Sequence, residues 1–252
     1  MRFMERAIKA LSYHRRPYVA GMIGVVLFSL LSVIIQTACQ LNINTKLHFQ
    51  NRLAQFDTSA VRSADHLIAV IKQAYLAVDH DYTTTWWLLV AGFALLSVAF
   101  TVISALMRRK ETTAYLLVGK SPVDIVAQYL VENIMVFLVG FVIACGLAVC
   151  FGGMITNQLT SLNQHLFDHY LADNVSSRAY QDLIKQLFNH RLTDFSSQGL
   201  MFPHPVGLHP AANHVAGFAV SLVSGLLSII VTQALVFGVA VWHQRRQLRH
   251  RA

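Results

Sequence analysis

Charge is what this sequence has least of: Asp, Glu, Lys and Arg together make up 13% of its 252 residues. A soluble domain carries roughly 25%, so a chain wetted on all sides is excluded. Cysteine is nearly absent. Cys39, Cys145 and Cys150 stand at spacings that give neither a metal site nor a disulfide framework. Cys39 follows Thr37-Ala38, as in a lipoprotein cleavage box, but Gln36 occupies the position of that box's aliphatic residue. Motifs of soluble catalysis are missing too. There is no HExxH, hence no metalloprotease base. Gly119-Lys120-Ser121 is the end of a P-loop pattern, but Ala114 stands where that pattern needs glycine. Without the glycine-rich cradle, backbone amides cannot wrap a phosphate. No internal repeat in the roughly 20–50-residue range is visible.

Apolar residues fill the space. They make up 55% of the chain, and the mean hydropathy is +0.48. Four runs, Tyr18 to Ala38, Trp86 to Met107, Ile134 to Phe151 and Val215 to Trp242, contain no Asp, Glu, Lys or Arg. Each approaches or exceeds the roughly 20 residues that carry a helix across about 30 Å of hydrocarbon. A soluble core helix shows a polar face every turn, and these runs do not. The expected fold is therefore an all-α polytopic membrane protein with four transmembrane helices. An amphipathic helix at 1–16 precedes spans at 17–39, 86–107, 125–151 and 215–242. Between them lie an outer loop at 40–85, a cytoplasmic element at 108–124 and a second outer loop at 152–214, both loops mostly helical. A basic tail covers 243–252.

The net charge of +8 is not spread like a nucleic-acid footprint. Arg2, Arg6, Lys9, Arg15 and Arg16 precede the first span. Arg108-Arg109-Lys110 follows the second, and Arg245, Arg246, Arg249 and Arg251 follow the fourth. The two longer loops are nearly neutral. This positive-inside pattern puts both termini in the cytoplasm, and the basic residues lack a folded platform for nucleic acid. Phe3, Met4, Ala7, Ile8 and Leu11 form an apolar stripe beside Arg2, Arg6 and Lys9. Such a helix lies on membrane lipid with its cations toward anionic headgroups. Trp86 and Trp87 mark the outer interface of the second span.

Ser121-Pro122-Val123-Asp124 reads as an N-cap, proline at the first helical position and an acid at the third. The helix that follows is longer than the hydrocarbon core, so Asp124, Gln128 and Glu132 sit at or below the interface. Gly119 suits a helix C-cap, which extends the second span inward through Arg108 to about Val118. Glu132 and Asn133 interrupt the apolar pattern. Glu132 either pairs with Arg108, Arg109 or Lys110, or relays motion from a partner. On the fourth span Gly217, Ser221, Ser224, Gly225 and Ser228 share one face. Such a face serves close helix packing or lines a substrate path. In the outer loops, Leu67, Ile68, Ile71, Tyr75 and Val78 recur at helical spacing, as do Ile155, Leu159, Leu162, Leu166 and Tyr170. A further helical stretch is expected near Ala179 to Phe188, before Pro203, Pro205 and Pro210 break regular structure. His165 and His169 share a helical face, with His204, His209 and His214 following. They are solvated polar groups, or part of an outer metal or pH-sensing site.

Arg108 to Gly153 resembles the core of the FtsX-like permease domain of MacB, Lol-type and Bce-type ABC transporters. The residues that carry the likeness are Arg108-Arg109-Lys110-Glu111, Leu116-Leu117, Gly119, Ser121, Asp124-Ile125 and Glu132. The resemblance departs in two places. The loop between spans one and two is the shorter one here, and Tyr115-Leu116-Leu117-Val118 precedes Gly119 where the family commonly reads Leu-Arg-Ala-Leu. The resemblance implies that Arg108, Arg109, Lys110, Glu111, Tyr115, Leu116, Leu117, Gly119, Ser121 and Asp124 couple this chain to a separate ABC ATPase, which holds ATP and magnesium. Glu132 would relay the motion. The chain itself would bind no cofactor or metal and catalyse nothing. It would pair with a second permease copy or a homologue in a bacterial cytoplasmic membrane, and act on a peptide or hydrophobic cargo. A non-transport scaffold or sensor with ligand-binding outer loops is the alternative. An intramembrane enzyme fits least, since the spans lack paired acids or a Ser/His constellation.

Overall fold

The computed structural model describes residues 15–54, 65–174 and 210–249. The amphipathic stripe before residue 15, the stretch near Ala179 to Phe188, and His204 and His209 lie outside the described residues. Those described form six helices and no strand: α1 (Arg15–Leu53), α2 (Asp65–Met107), α3 (Arg109–Leu117), α4 (Pro122–Cys150), α5 (Gly152–Asn174) and α6 (Pro210–Arg249). Four of them contain segments long and apolar enough to cross a membrane: Pro17–Asn51, Ile68–Met107, Pro122–Cys150 and Ala216–Gln247.

The helices run past the apolar runs that define the spans. α1 has 39 residues, α2 43 and α6 40. At 1.5 Å per residue each is about 60 Å long, twice the hydrocarbon thickness. Much of what the sequence reads as loop 40–85 is thus the continuation of α1 and the first half of α2, and most of the basic tail belongs to α6. Proline obeys its ordinary limits. Pro17 falls in the first turn of α1, while Pro122 and Pro210 are the first residues of α4 and α6, positions where a missing N–H costs nothing.

Two compact units emerge. The first takes the chain up to Val33, Trp87–Cys150 and the chain from Phe218 onward; the second takes Ile34–Trp86 and Phe151–Gly217. In the first unit polarity is turned inside out relative to a soluble protein. Ser29, Ser32, Thr101, Glu132 and Ser221 are fully buried, whereas Leu88, Leu95 and Val142 are each about 70% exposed. Water would reverse this order; a hydrocarbon surround, which favours apolar side chains outside, produces it. Val25, Phe28, Phe93, Phe137 and Ile229 form one core cluster, and Ile125, Tyr129, Phe237 and Val241 another. The Phe28 and Phe93 rings stack at 4.0 Å.

The second unit has its own core, Phe49, Ile71, Ala74, Tyr75 and Phe167. Ala38, Val78, Tyr82 and Leu159 form a further cluster. Polar contacts bind these helix extensions. Asn42 donates to the Tyr75 carbonyl at 3.1 Å, Cys39 Sγ to Asp79 at 3.3 Å, and the hydroxyls of Tyr82 and Tyr170 to Asn163 and Asp81. The stripe Ile155, Leu159, Leu166 and Tyr170 of α5 packs on this core, while Leu162 is exposed.

Candidate functional site: a buried ion pair at the bend after the second span

Helix α2 ends at Met107 and α3 begins at Arg109, so a single residue, Arg108, interrupts the helix. Its φ and ψ are −93° and 10°. The interruption is slight: the Arg108 N–H still reaches the Ser104 carbonyl at 3.0 Å, and its own carbonyl accepts from Thr112 at 2.9 Å. The bend has a chemical counterpart. Arg108 is 7% exposed and Glu132, on α4, is wholly buried. Arg108 Nη1 donates to Glu132 Oε2 at 2.6 Å, and Arg108 Nη2 donates to the Tyr18 hydroxyl at 2.6 Å. Tyr18, on α1, donates in turn to the same Oε2 at 2.5 Å. Gln128, one turn before Glu132, donates to its other oxygen at 3.3 Å.

The guanidinium is also flanked by rings. Its carbon lies 5.4 Å from the centre of Tyr18 and 5.0 Å from that of Tyr129. The Tyr129 hydroxyl shares a 3.1 Å hydrogen bond with Thr112, the first-turn residue of α3. Tyr129 packs against Phe237 of α6 with ring centroids 5.0 Å apart. Charge, hydrogen bonds and ring faces thus bind α1, α3, α4 and α6 at the bend. Desolvating two charges is expensive, and only complete pairing with added hydrogen bonds offsets it. Here the carboxylate accepts from three donors.

The turn from α3 to α4 is built as its sequence predicts. Gly119 has φ 86°, the left-handed conformation that glycine adopts without strain. Lys120 N–H reaches the Tyr115 carbonyl and Gly119 N–H the Leu116 carbonyl, both at 3.1 Å, which is a Schellman C-cap. Two residues later the Ser121 hydroxyl accepts the Asp124 N–H at 3.1 Å and caps α4.

Other residues singled out in the sequence divide by the face they occupy. Tyr115 and Leu116 pack toward the Ile125–Tyr129–Phe237–Val241 cluster, with the Lys120 ammonium 4.1 Å above the Tyr115 ring. Leu117, by contrast, is 73% exposed and its neighbour Val118 82%. Arg109 and Lys110 are exposed, Arg109 bonding Gln247 of α6 at 3.0 Å, and Glu111 is half-buried. Among the three cations weighed for Glu132, the structure pairs it with Arg108. On α6, Gly217, Ser221 and Gly225 are buried, and Ser224 and Ser228 half-buried. A Cβ on Gly225 would lie 2.6 Å from the Phe137 ring. His165 and His169 are exposed, and no group of three potential ligands is placed to hold a metal among the described residues.

Tyr18, Thr112 and Tyr129 escape a reading by sequence. Tyrosine and threonine at span ends are ordinary, and nothing local marks Tyr18 as a partner for a residue 114 positions away. Compared with protein-family models, curated proteins and solved structures, the chain matches none.

Proposed function

We propose that this chain is the permease subunit of an FtsX/MacB-type ABC transporter, in a bacterial cytoplasmic membrane with both termini in the cytoplasm. It transmits motion from a separate ATPase to export, extract or signal about a peptide or hydrophobic substrate. ATP and magnesium belong to that ATPase, and a second permease copy or homologue completes the assembly. The observation that carries this reading is the Arg108–Glu132–Tyr18 lock. It makes α3 a rigid handle, since a push on α3 is delivered to α1 and α4 through a buried charge pair. The handle also has a grip. Leu117 and Val118 lie between the second and third candidate spans, where apolar side chains exposed to water favour a partner's apolar groove. The positive cluster Arg108-Arg109-Lys110 supports a cytoplasmic position for this end.

The test is a Leu117→Asp/Val118→Asp double variant, isolated from its own cell's membranes in parallel with wild type. Wild type should bring with it an ATP-hydrolysing subunit, and the variant should insert normally but lose that subunit at least tenfold. Two results would overturn the proposal. One is a chain that carries no nucleotide-hydrolysing partner. The other is a cysteine at position 118, in a background free of Cys39, Cys145 and Cys150, that is labelled only from outside the cell.

A further inference from the structure

The first unit carries a half-open cavity of about 210 Å³ lined by α1, α2, α4 and α6. Its walls are mostly apolar: Val25, Phe93, Leu96, Phe100 and Ile229. Two carboxamides break that surface, Asn133 of α4 and Gln233 of α6. Both are buried, at 7% and 3% exposure, and Gln233 Oε1 has no hydrogen-bond partner. A third polar lining residue, Ser97, is already bonded to Thr232 at 2.9 Å. An unmet amide inside a spanning bundle is costly, because neither lipid nor an apolar wall can satisfy it. A half-turn of the amide exchanges its oxygen and nitrogen, so Gln233 can offer either an acceptor or a donor.

The cavity is larger than the roughly 150 Å³ apolar void that admits benzene. It is also too apolar to be filled by water, which needs two to four polar partners per molecule. Its way in is lateral. Ala20 and Leu96 line it and are themselves exposed, on segments whose surroundings are lipid. Gly21 and Gly24 leave the α1 wall without side chains, and a Cβ on Gly24 would meet nothing within 4 Å.

We infer that this cavity is a binding site for a membrane-dissolved amphiphile with an apolar chain and one hydroxyl or amide group, which the Gln233 and Asn133 carboxamides recognise. The hydroxyl donates to one amide oxygen and accepts from the other amide's N–H, while the chain lies against Phe93, Phe100 and Ile229. This site is independent of any ATPase partner.

The test uses the full chain in lipid nanodiscs and two photoreactive diazirine probes, a long-chain alcohol and the alkane of equal length. The alcohol should label α1 and α6 peptides around Gly24 and Ile229 about tenfold more than the alkane, the preference one added hydrogen bond confers. Gly24→Leu fills the void and should abolish that labelling. Asn133→Leu/Gln233→Leu should make the two probes equal. Thermal unfolding of each variant, compared with wild type, shows that it is folded. Equal labelling of wild type by both probes would overturn the inference, as would labelling that survives Gly24→Leu, which marks surface lipid. So would no labelling at these positions, which marks a site holding only water.

Discussion

Arg108 and Glu132 meet at 2.6 Å with the carboxylate fully buried and the guanidinium nearly so. The pair joins the bend after α2 to the third turn of α4, and Tyr18 bridges both partners from α1. A buried pair of this kind is worth little over an apolar isostere but is costly to break singly.

Removing one partner should therefore cost far more than removing both. Arg108→Met or Glu132→Leu alone should lower stability by about 3–5 kcal/mol, and the double variant by much less. Tyr18→Phe, which removes two hydrogen bonds to charged groups, should cost about 2 kcal/mol. Denaturation of the purified protein in mixed micelles measures all four. Additive losses from the two single variants would show that the pair is not coupled.

Two glycines on facing helices should respond to alanine in opposite directions. At Gly225 the new Cβ would sit 2.6 Å from the Phe137 ring and 3.0 Å from Phe28. Phe137 is fully buried, so overpacking should cost about 1–3 kcal/mol. At Gly24 nothing lies within 4 Å, and Gly24→Ala should stabilise by up to about 1 kcal/mol through helix propensity. The same unfolding assay, run on both variants, gives the sign of each change.

The α3–α4 turn depends on one left-handed residue and one cap. Gly119→Ala forces a Cβ into φ 86° and should cost about 1–2 kcal/mol. Ser121→Ala removes the acceptor for Asp124 N–H and should cost about 1 kcal/mol. Spin labels on Lys110 and Val123 should show a broadened distance distribution in both variants. An unchanged distribution would mean that the turn is held by other contacts.

Tyr170 provides a pH readout in the second unit. Its hydroxyl donates to Asp81, and that bond, with some burial and the repulsion of the nearby carboxylate, raises its pKa above the usual tyrosine value. The folded protein thus holds this proton more tightly than the unfolded chain. The resulting stability is complete below the ordinary tyrosine range and is lost as pH rises through the raised value. Asp81→Asn should return Tyr170 toward its ordinary value. The difference in ultraviolet titration between each protein and its Tyr170→Phe counterpart isolates the signal.

Span existence, fold class and helix caps were legible in the sequence because they are sums over neighbouring residues. Four apolar runs without charge demand helices in lipid, whatever else the chain does. Gly119 and Ser121 announced a C-cap and an N-cap because both depend on the chemistry of a few adjacent positions. Helix ends were less legible. No break follows the apolar runs of α1 and α6, so each helix continues well past its run.

Pairing across the bundle was decided only by the tertiary structure. Three cations stood in sequence to take Glu132, and the rotation of α2 and α3 gave it Arg108 while turning Arg109 toward Gln247 and Lys110 outward. The same rotation separates Leu116, packed inside, from Leu117, exposed. Asn133 and Gln233 share a cavity though 100 positions apart. Composition and periodicity fix how a segment meets its solvent. Which side chains meet one another depends on the angle and register at which whole helices pack, and no local run of residues encodes that.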